Sequence, residues 1–473
     1  MTRGFSQVYG VDFEGMFASI FWFDTLCLFL AIVALKDLEC HMIDVNNAFT
    51  ESILKEDIYM APLSGVDISP GKAFWVLQSL YSLKQAAWDW HEKCITEMIK
   101  LGFQQCAADP CLLIHYQKKI MVLLYVDDIS IASKQLNNVL WFKSEFWKIF
   151  KIKDLEEMKK ILEINITCNR KARTLCMNQS HYLNNVLERL DMRPDKHCST
   201  ELPMNSYALL HPAGPDDKRT DQWKYQQGIG SLMYAAILTC SDIQFSLNWL
   251  SQYMSDPAEH HSSALKTLLR YVRSTINLDI VFRGNRSSES LNLVTYSDSD
   301  YAADKLNRKS ILGYALKLAD ASIAWMSWKQ ASVATSTTEA EYMALSICVK
   351  ECLWIIQLLR DMNLTKYLED SLNQVDIKEN FKHKADSPTQ LIPACFKGDN
   401  QASLTLVKEP HIHERSKHID VAYHHVQDLY VKNQIRVDFV PSHEMVADSL
   451  TKPLPKDAFK RFMSQLRLKV SES

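Results

Sequence analysis

Two adjacent carboxylates stand inside a strongly apolar stretch, Leu123 to Ala132 (LLYVDDISIA). Asp127 and Asp128 separate two runs of strand-forming residues, so the stretch predicts two strands joined by a tight turn. An ordinary hairpin turn explains the pair, because Asp side chains tolerate turn geometry. A pair of metal ligands at the end of a sheet also explains it, and this stretch alone does not separate the two interpretations.

A third carboxylate, Asp44, ends an apolar strand in Cys40 to Phe49 (CHMIDVNNAF). Strand-end carboxylates from distant parts of a chain can hold two divalent cations about 3.5–4 Å apart for phosphoryl transfer. Mg²⁺ prefers such hard oxygen ligands, and clustered carboxylates repel one another without a cation. Asp44, Asp127 and Asp128 therefore predict a site for two Mg²⁺ ions, or Mn²⁺ in their place.

The composition bounds the class of protein. The 473 residues suffice for two or three domains, and 47% hydrophobic with 23% charged residues is typical of a globular chain. The formal net charge of −3 gives no general support for nucleic-acid binding, which would need local basic patches. Twelve cysteines without a CxxC pair indicate reduced thiols in an intracellular protein, cytoplasmic or nuclear.

One segment, Met16 to Leu35, is about long and apolar enough to span a membrane. Asp24 interrupts it, at a cost of roughly 2.5–3.5 kcal/mol for a charge at mid-bilayer. No cluster of Lys and Arg flanks the segment, and the start of the chain lacks the basic region and cleavage site of a signal peptide. The segment therefore predicts a buried helix over Thr25 to Leu35, with no membrane partner.

A second set of acids lies in the last third of the chain. They are each at the edge of a predicted strand or helix: Asp298, Glu341, Asp399 and Asp448. Any one of them also fits a solvated element end or an N-cap. Gathered at one end of a sheet, however, the four would suit two-metal hydrolysis of a phosphodiester, in which one ion activates water.

Periodicity and turn residues predict the order of elements. Helices are expected over 25–35, 88–103, 229–254, 261–273, 338–361, 400–408, 421–432 and after 455, with strands near 40–49, 111–132, 291–328, 392–396 and 435–440. Residues 365–391 are polar and aperiodic, which predicts an insertion loop. The histidine-rich stretch 411–425 fits no common zinc spacing, so Arg415 and Lys417 there are interpreted as contacts to a nucleic-acid backbone.

Many short motifs occur in a fixed order along the chain. They are RGFSQVYGVDFEGMFA, HMIDVNNAF, DIYMAP, SLYSLKQA, YVDD, IGSLMYAA, SDSDYAAD, RKSILGYALKL, STTEAEYMAL, DNQAS, HERSKHID and VADSLTKPLP. In these motifs the chain resembles the reverse transcriptase and ribonuclease H part of copia-type LTR retrotransposon Pol polyproteins. The resemblance covers essentially the whole chain.

The resemblance implies a mixed α+β and α/β architecture. Residues 1–165 would form a reverse transcriptase palm with partial fingers, residues 166–285 a helical thumb or connection region, and residues 286–473 a ribonuclease H-like domain. The implied function is that of an RNA-directed DNA polymerase (a nucleotidyltransferase) and an endonuclease. The implied partners are an RNA template, a DNA primer, dNTPs and an RNA–DNA hybrid.

In the polymerase half, the resemblance makes Asp44, Asp127 and Asp128 metal ligands. The backbone at Asn47 and Ala48 would face the incoming triphosphate. Phe49 falls where related polymerases place an aromatic steric gate against the ribose 2′-hydroxyl. A core phenylalanine at a strand end is the alternative for Phe49, and both interpretations can hold together.

In the hydrolase half, the resemblance makes Asp298, Glu341, Asp399 and Asp448 catalytic metal ligands. Glu341 is preferred to Glu339 because it heads a Glu-Tyr-Met-Ala run that resembles the family's Glu-x-x-Ala. His443 lies where related enzymes carry a mobile histidine that assists proton transfer or product release, and an exposed loop histidine is the alternative. Asp304 is expected at the surface.

The chain also departs from the family pattern. Relatives carry a longer fingers region before GFSQ, with the cations that grip the triphosphate, so an N-terminally truncated fragment with impaired polymerisation is expected. Phe21 to Phe23 stand where an arginine is usual, Ser82 replaces a glycine and Ala87 a proline. The rival interpretation is an inactive relic or a domesticated protein that binds nucleic acid or a partner. The low net charge and missing fingers favour it, and the retained acids oppose it.

Overall fold

The structure is a computed structural model that describes residues 4–14, 19–61, 65–66, 69, 71–192, 200–207, 210–284, 291–318, 321–365, 394–409 and 420–470, without the side chains of 420–423. Its contacts divide the chain into two compact units. The first joins Met1–Phe29 to Asp37–Met158, and the second joins Leu30–Lys36 to Lys159–Ser473. The expected three-part division at 165 and 285 stays a prediction.

The first unit combines helices with one large and one small sheet. Its elements are helices α1 (Phe23–Lys36, whose residues from Leu30 on group with the second unit), α2 (Ala86–Lys100) and α3 (Leu136–Trp147), and strands β1 (Glu39–Val45), β2 (Ile53–Met60), β3 (Phe74–Gln78), β4 (Gln104–Gln105), β5 (Leu112–His115), β6 (Ile120–Tyr125), β7 (Asp128–Ser133) and β8 (Ile152–Glu157).

The large sheet of this unit has the order β4-β5-β6-β7-β1-β8, and all neighbours run antiparallel. Strands β5, β6 and β7 are almost wholly buried, including the polar side chains of His115, Ser130 and Ser133. An aromatic cluster packs with them, with Trp90 and Phe150 ring centroids 5.1 Å apart. The hairpin expected around Asp127 is therefore confirmed as β6–turn–β7.

The small sheet pairs β2 with β3 and buries one face. Leu54, Ile58 and Val76 point into a cluster that also holds Leu83 and Ala86. This alternation of buried and exposed residues is what a strand with one covered face requires.

The second unit is built around two five-stranded sheets. Its elements are helices α4 (Ser180–Arg189), α5 (Gln222–Leu238), α6 (Gln244–Ser251), α7 (Glu259–Ser274), α8 (Thr337–Asp361), α9 (Gln401–Lys408), α10 (Asp420–Val431) and α11 (Lys456–Gln465), and strands β9 (Lys160–Ile161), β10 (Ile164–Asn169), β11 (Thr174–Asn178), β12 (Leu278–Arg283), β13 (Leu293–Asp300), β14 (Ile311–Leu318), β15 (Ala321–Lys329), β16 (Ala394–Gly398), β17 (Ile435–Phe439) and β18 (Leu468–Val470).

One sheet has the order β15-β14-β13-β16-β17. Strands β13, β16 and β17 are parallel, so their carboxyl ends meet at one edge. Helix α8 packs on β13, β14 and β16. Among the helices described, α8 alone is long and apolar enough to cross a membrane, but 61% of its most apolar window is buried in the fold, as in a core helix.

The other sheet is antiparallel, with the order β18-β12-β11-β10-β9. Strand β18, near the end of the chain, pairs with β12, and Leu278 lies opposite Val470. Helices α4, α5, α6 and α7 pack against one another in the same unit.

Several element predictions need correction. The single helix expected over 229–254 is two helices, because a 3₁₀ turn at Ser241–Ile243 separates α5 from α6. Helices α3 and α4 and strands β2 to β4, β8 to β12 and β18 were not predicted. The expected insertion loop lies almost entirely outside the described residues, as do Arg415 and Lys417.

Asp242 explains why the helix breaks there. It lies in the 3₁₀ turn, is buried, and its Oδ2 accepts a hydrogen bond of 2.5 Å from the Tyr271 hydroxyl on α7. Burial raises the pKa of Asp242 to about 6 although this hydrogen bond opposes the shift. The buried acid therefore joins the turn to a neighbouring helix at an electrostatic cost.

We expect Asp242→Asn to change how stability depends on pH. Between about pH 4 and 6 the folded wild type keeps a proton on Asp242 that the unfolded chain releases, so its stability falls as pH rises through this window. Asparagine keeps an acceptor for Tyr271 and does not titrate. In urea unfolding, the free energy of unfolding of the variant should therefore rise relative to that of the wild type, by up to about 3 kcal/mol, between pH 4 and 7. Parallel pH profiles for the two proteins would contradict this prediction.

Candidate metal centres

The β1–β7 ladder brings the first set of acids together. Asp44 near the end of β1 lies directly opposite Asp128 at the start of β7, so the two side chains share one face of the sheet. Asp127 occupies the turn, where its carbonyl oxygen accepts the Val45 N–H at 3.0 Å. These backbone bonds fix the three acidic residues as neighbours at the same end of the sheet.

The turn itself has an unusual backbone. Val126 adopts a left-handed conformation with φ of 53°, which is costly for a β-branched residue. Its carbonyl oxygen accepts a hydrogen bond of 2.6 Å from the Trp90 indole on α2. The bond to a buried helix side chain stabilises the strained turn that presents Asp127.

Burial and mutual repulsion act on these acids together. Burial, followed by the charges of Asp127 and Asp44, raises the pKa of Asp128 to about 6. Burial and then Asp44 also raise the pKa of Asp127. Within the described part of the chain, however, the ligand atoms of these three side chains do not all lie within 4.8 Å of one another. A bound cation would draw them closer.

The segment after β1 carries the residues expected to face a nucleotide. Asn47 is exposed in a left-handed conformation and precedes the 3₁₀ turn Ala48–Glu51, in which Ala48 is buried. Phe49 is half-buried and packs on the cluster beneath β2 and β3. The packing alternative for Phe49 is therefore observed, while the steric-gate role stays a prediction.

Tyr81 is a neighbour of the first set of acids that the sequence analysis did not single out. Its ring centroid lies 4.6 Å from that of Phe49, and burial, then Asp127 and Asp44, raise its pKa. The hydroxyl therefore lies in the field of the acids. The only signal in the sequence was its place in the SLYSLKQA motif.

The second set of acids is gathered more tightly. Asp298 near the end of β13, Glu341 in the first turns of α8 and Asp399 just after β16 have ligand oxygens that all lie within 4.8 Å of one another. The parallel pairing of β13 with β16 sets two of them at one sheet edge. Asp298 is only 3% exposed and Glu341 only 8%.

Asp448 lies beside this set rather than within it. It begins the 3₁₀ turn Asp448–Leu450, and its negative charge contributes, after burial, to the raised pKa of Asp298. Its Oδ1 also pairs with the Lys452 ammonium at 2.8 Å. The Thr451 hydroxyl of the same segment donates to Asp298.

Burial and neighbouring negative charges oppose ionisation of the acids in the second set. Burial, then the charges of Asp298 and Asp399, raise the pKa of Glu341 to about 10. Burial raises the pKa of Asp298 to about 6, against the opposing effect of Lys452. Burial by itself would lower the pKa of Lys452, but Asp298 and Asp448 raise it overall. Lys452, which the sequence analysis missed, is thus an internal counter-ion of the site.

An open cleft of about 780 Å³ gives access to these acids. Its lining includes Asp300, Thr337, Glu341, Asp399, Asn400 and Phe439. Asp300 accepts a hydrogen bond of 3.1 Å from the Tyr207 hydroxyl. The set therefore faces open space large enough for a backbone phosphate.

Three neighbouring residues are placed differently from the acid set. Glu339 accepts a hydrogen bond of 2.7 Å from the Thr335 N–H at the start of α8. Its carboxylate is therefore engaged at the N-terminus of the helix. Asp304, expected at the surface, is buried and paired with the Lys329 ammonium at 2.6 Å, so that expectation is wrong. His443 has a 71% exposed side chain, and the adjacent Ser442 hydroxyl donates to Asp399 at 2.7 Å. Both alternatives for His443 stay open.

The donor chemistry of both centres fits hard divalent cations. All the candidate ligands are carboxylates, which Mg²⁺ prefers over nitrogen or sulfur donors. Burial, and then the charges of neighbouring carboxylates, raise the pKa of Asp128 and of Glu341, so both oppose ionisation of these acids. Binding of a cation would relieve the repulsion between the carboxylates.

Comparison with known proteins identifies the family of this chain. A family profile described as reverse transcriptase (RNA-dependent DNA polymerase) matches residues 1–205. The retrovirus-related Pol polyprotein from transposon TNT 1-94 of Nicotiana tabacum is 32% identical over 97% of this chain. That from transposon RE1 of Arabidopsis thaliana is 31% identical over 98%. The chain belongs to the copia-type retrotransposon Pol family. The resemblance indicated by the motifs is confirmed.

The copia-type chain spans about one third of the length of these curated relatives, 33% of the first and 30% of the second. Among solved structures, the N-terminal RNase H domain of a Mycobacterium tuberculosis protein aligns with 37% of this chain and 98% of its own, at 15% identity and a TM-score of 0.21. A TM-score this low supports no inference about the fold.

One departure from the copia-type pattern has a structural consequence. Ser82, where the resemblance led us to expect glycine, adopts a left-handed conformation with φ of 81°. Its carbonyl oxygen lies so near Gly4 that a Cβ on Gly4 would collide with it at 1.6 Å. A side chain in a left-handed conformation costs roughly 1–2 kcal/mol, so Ser82 is strained beside Tyr81.

We expect Ser82→Gly to stabilise the protein by about 1 kcal/mol, because glycine adopts this conformation without strain. Ser52→Gly is the matched control, since Ser52 has an ordinary extended backbone with φ of −92°. The control should lose about 0.5–1 kcal/mol. Urea unfolding of both variants measures the difference, and a loss of stability in Ser82→Gly would contradict the prediction.

Proposed function

We propose that the second unit carries a ribonuclease H-like domain that cuts the RNA strand of an RNA–DNA hybrid. The close approach of the ligand oxygens of Asp298, Glu341 and Asp399 carries this proposal. Membership of the copia-type Pol family supports it, because the relatives' similarity extends over nearly the whole chain.

In this proposal Asp298, Glu341, Asp399 and Asp448 hold two Mg²⁺ ions, with Mn²⁺ as a substitute. Bound ions of this kind would supply an activated water and stabilise charge on the phosphate. Lys452 keeps the acids stable before the ions bind. His443, exposed beside Asp399's partner Ser442, would move a proton or assist product release.

We propose an RNA-directed DNA polymerase centre in the first unit, as the family profile over residues 1–205 supports. Asp44, Asp127 and Asp128 would hold its metal ions. The backbone at Asn47 and Ala48 would contact the dNTP, and Phe49 would exclude a 2′-hydroxyl while packing on Tyr81. An RNA template and a DNA primer would be the other substrates.

The proposed layout keeps three regions: palm with partial fingers over 1–165, thumb or connection over 166–285, and ribonuclease H-like domain over 286–473. We propose an intracellular location, because the substrates are intracellular nucleic acids. Phosphate contacts would supply most of the affinity and make binding sensitive to salt. The 2′-hydroxyl and the shape of the groove would distinguish RNA from DNA.

We expect the full chain to cut the RNA of an end-labelled RNA–DNA hybrid only when Mg²⁺ is present. Asp298→Asn and Glu341→Gln should each lower the rate by at least about 100-fold, because each removes one charged ligand. Mg²⁺ should also raise the melting temperature of the wild type by more than that of Asp298→Asn, since binding to the folded state stabilises it and the variant keeps only the centre in the first unit.

Asp428→Asn is the control for this experiment, because Asp428 is an exposed acid on α10 that pairs with Lys432. It should cut as the wild type does. Equal cleavage by the wild type and the two ligand variants would refute the ribonuclease H proposal.

For the polymerase centre we expect primer extension on an RNA template with dNTPs and Mg²⁺. Asp127→Asn should abolish it by removing a charged ligand, whereas Asp57→Asn in β2 should not. Phe49→Val should raise the use of rNTPs relative to dNTPs. Unchanged rNTP discrimination, with the fold intact by circular dichroism, would assign Phe49 to packing alone.

The net charge of −3 favours one rival function, a catalytically inactive protein that binds nucleic acid or a partner. The two activity assays separate it from the proposal, because a relic would bind hybrid without cutting it and would not extend a primer. Hybrid binding without turnover in Mg²⁺ and in Mn²⁺ would support this rival.

A further inference from the structure

A second kind of ligand cluster lies in the loop before α5 and at the start of α7. His211, Asp217 and His260 have ligand atoms that all lie within 4.8 Å of one another. The His211 Nδ1 is 3.9 Å from Asp217 Oδ2, and the two imidazole rings have centroids 4.7 Å apart. None of these residues belongs to either carboxylate set.

We propose that His211, Asp217 and His260 form a binding site for a divalent transition-metal ion, with Zn²⁺ the best match. Two imidazole nitrogens and one carboxylate oxygen are a common zinc donor set that leaves a fourth position for water. Mg²⁺ prefers oxygen ligands alone and would bind here poorly. The site would therefore select a different metal from the one that suits the acid clusters.

The carboxylate of the site is held in place by the backbone. Asp217 Oδ2 accepts the Gly214 N–H at 2.8 Å. This bond fixes the carboxylate oxygen 3.9 Å from the His211 Nδ1.

The backbone around the ligands is braced by other side chains. Arg219 donates to the carbonyl oxygens of Gly214 at 2.6 Å and Asp217 at 2.8 Å, and pairs with Asp256. The buried His261 contacts the carbonyl oxygen of His211 through Nε2 at 2.9 Å. Such outer contacts orient metal ligands before the ion arrives.

Metal binding would replace existing hydrogen bonds. The His260 Nε2 lies 3.1 Å from the His211 carbonyl oxygen, and the His211 Nδ1 lies 2.9 Å from that of Pro212. A cation bound to these nitrogens would exchange both contacts for stronger coordinate bonds. The ion would join the loop at 211–217 to the first turn of α7, so the site would act as a structural clip.

The test is a Zn²⁺ titration of the full-length chain against a chromophoric chelator, with excess Mg²⁺ to occupy the carboxylate clusters. The wild type should bind Zn²⁺ about 100-fold or more tightly than His211→Asn and His260→Asn, because each variant removes a first ligand. His181→Asn is the matched control, since His181 is an exposed histidine on α4 with one acidic neighbour. The control should bind as the wild type does.

A spectroscopic readout distinguishes this site from metal binding by cysteine thiolates. Co²⁺ in place of Zn²⁺ should give visible bands of a nitrogen and oxygen ligand set without a thiolate charge-transfer band, and Asp217→Asn should alter them. Asparagine keeps the acceptor for Gly214, so this variant is expected to fold. Tight binding that survives all three ligand variants, or a thiolate band in the wild type, would overturn the proposal.

Discussion

Repulsion between carboxylates that the backbone holds close together is the constraint on which both candidate centres depend. In the first unit, Asp44 and Asp128 are opposite one another in a ladder, so they separate only if the strands do. In the second, β13 and β16 are parallel neighbours whose ends present Asp298 and Asp399 at one edge. Burial removes the water that would screen these charges, so each repulsion is larger than at an exposed surface.

The second unit carries part of the opposing charge within its own chain. Lys452 pairs with Asp448 and acts on Asp298, so the acids are tolerated in a buried position before any ion binds. The same ammonium must be overcome by a metal ion that binds Asp448. Lys452 thus stabilises the fold, and it would also raise the concentration of metal ion at which the centre is filled.

Local patterns made much of this arrangement predictable. The turn at Asp127 and Asp128 follows from two apolar runs, because strands and tight turns depend on neighbours in sequence. Features that depend on distant residues were not predictable. The break between α5 and α6 rests on Asp242 reaching Tyr271, and Asp304 is buried because its partner Lys329 lies on β15.

The sequence by itself determined which chemistry is available: acids at strand ends, their order along the chain, and the family in which that order recurs. Only the tertiary structure decided which acids meet. Glu339 and Glu341 are two residues apart on α8, about 200° around a helix of 3.6 residues per turn, so they point in nearly opposite directions. Similarly, His260 meets His211 and Asp217 only because a loop folds back onto α7. Direction and distance between remote residues are properties of packing, which no local pattern contains.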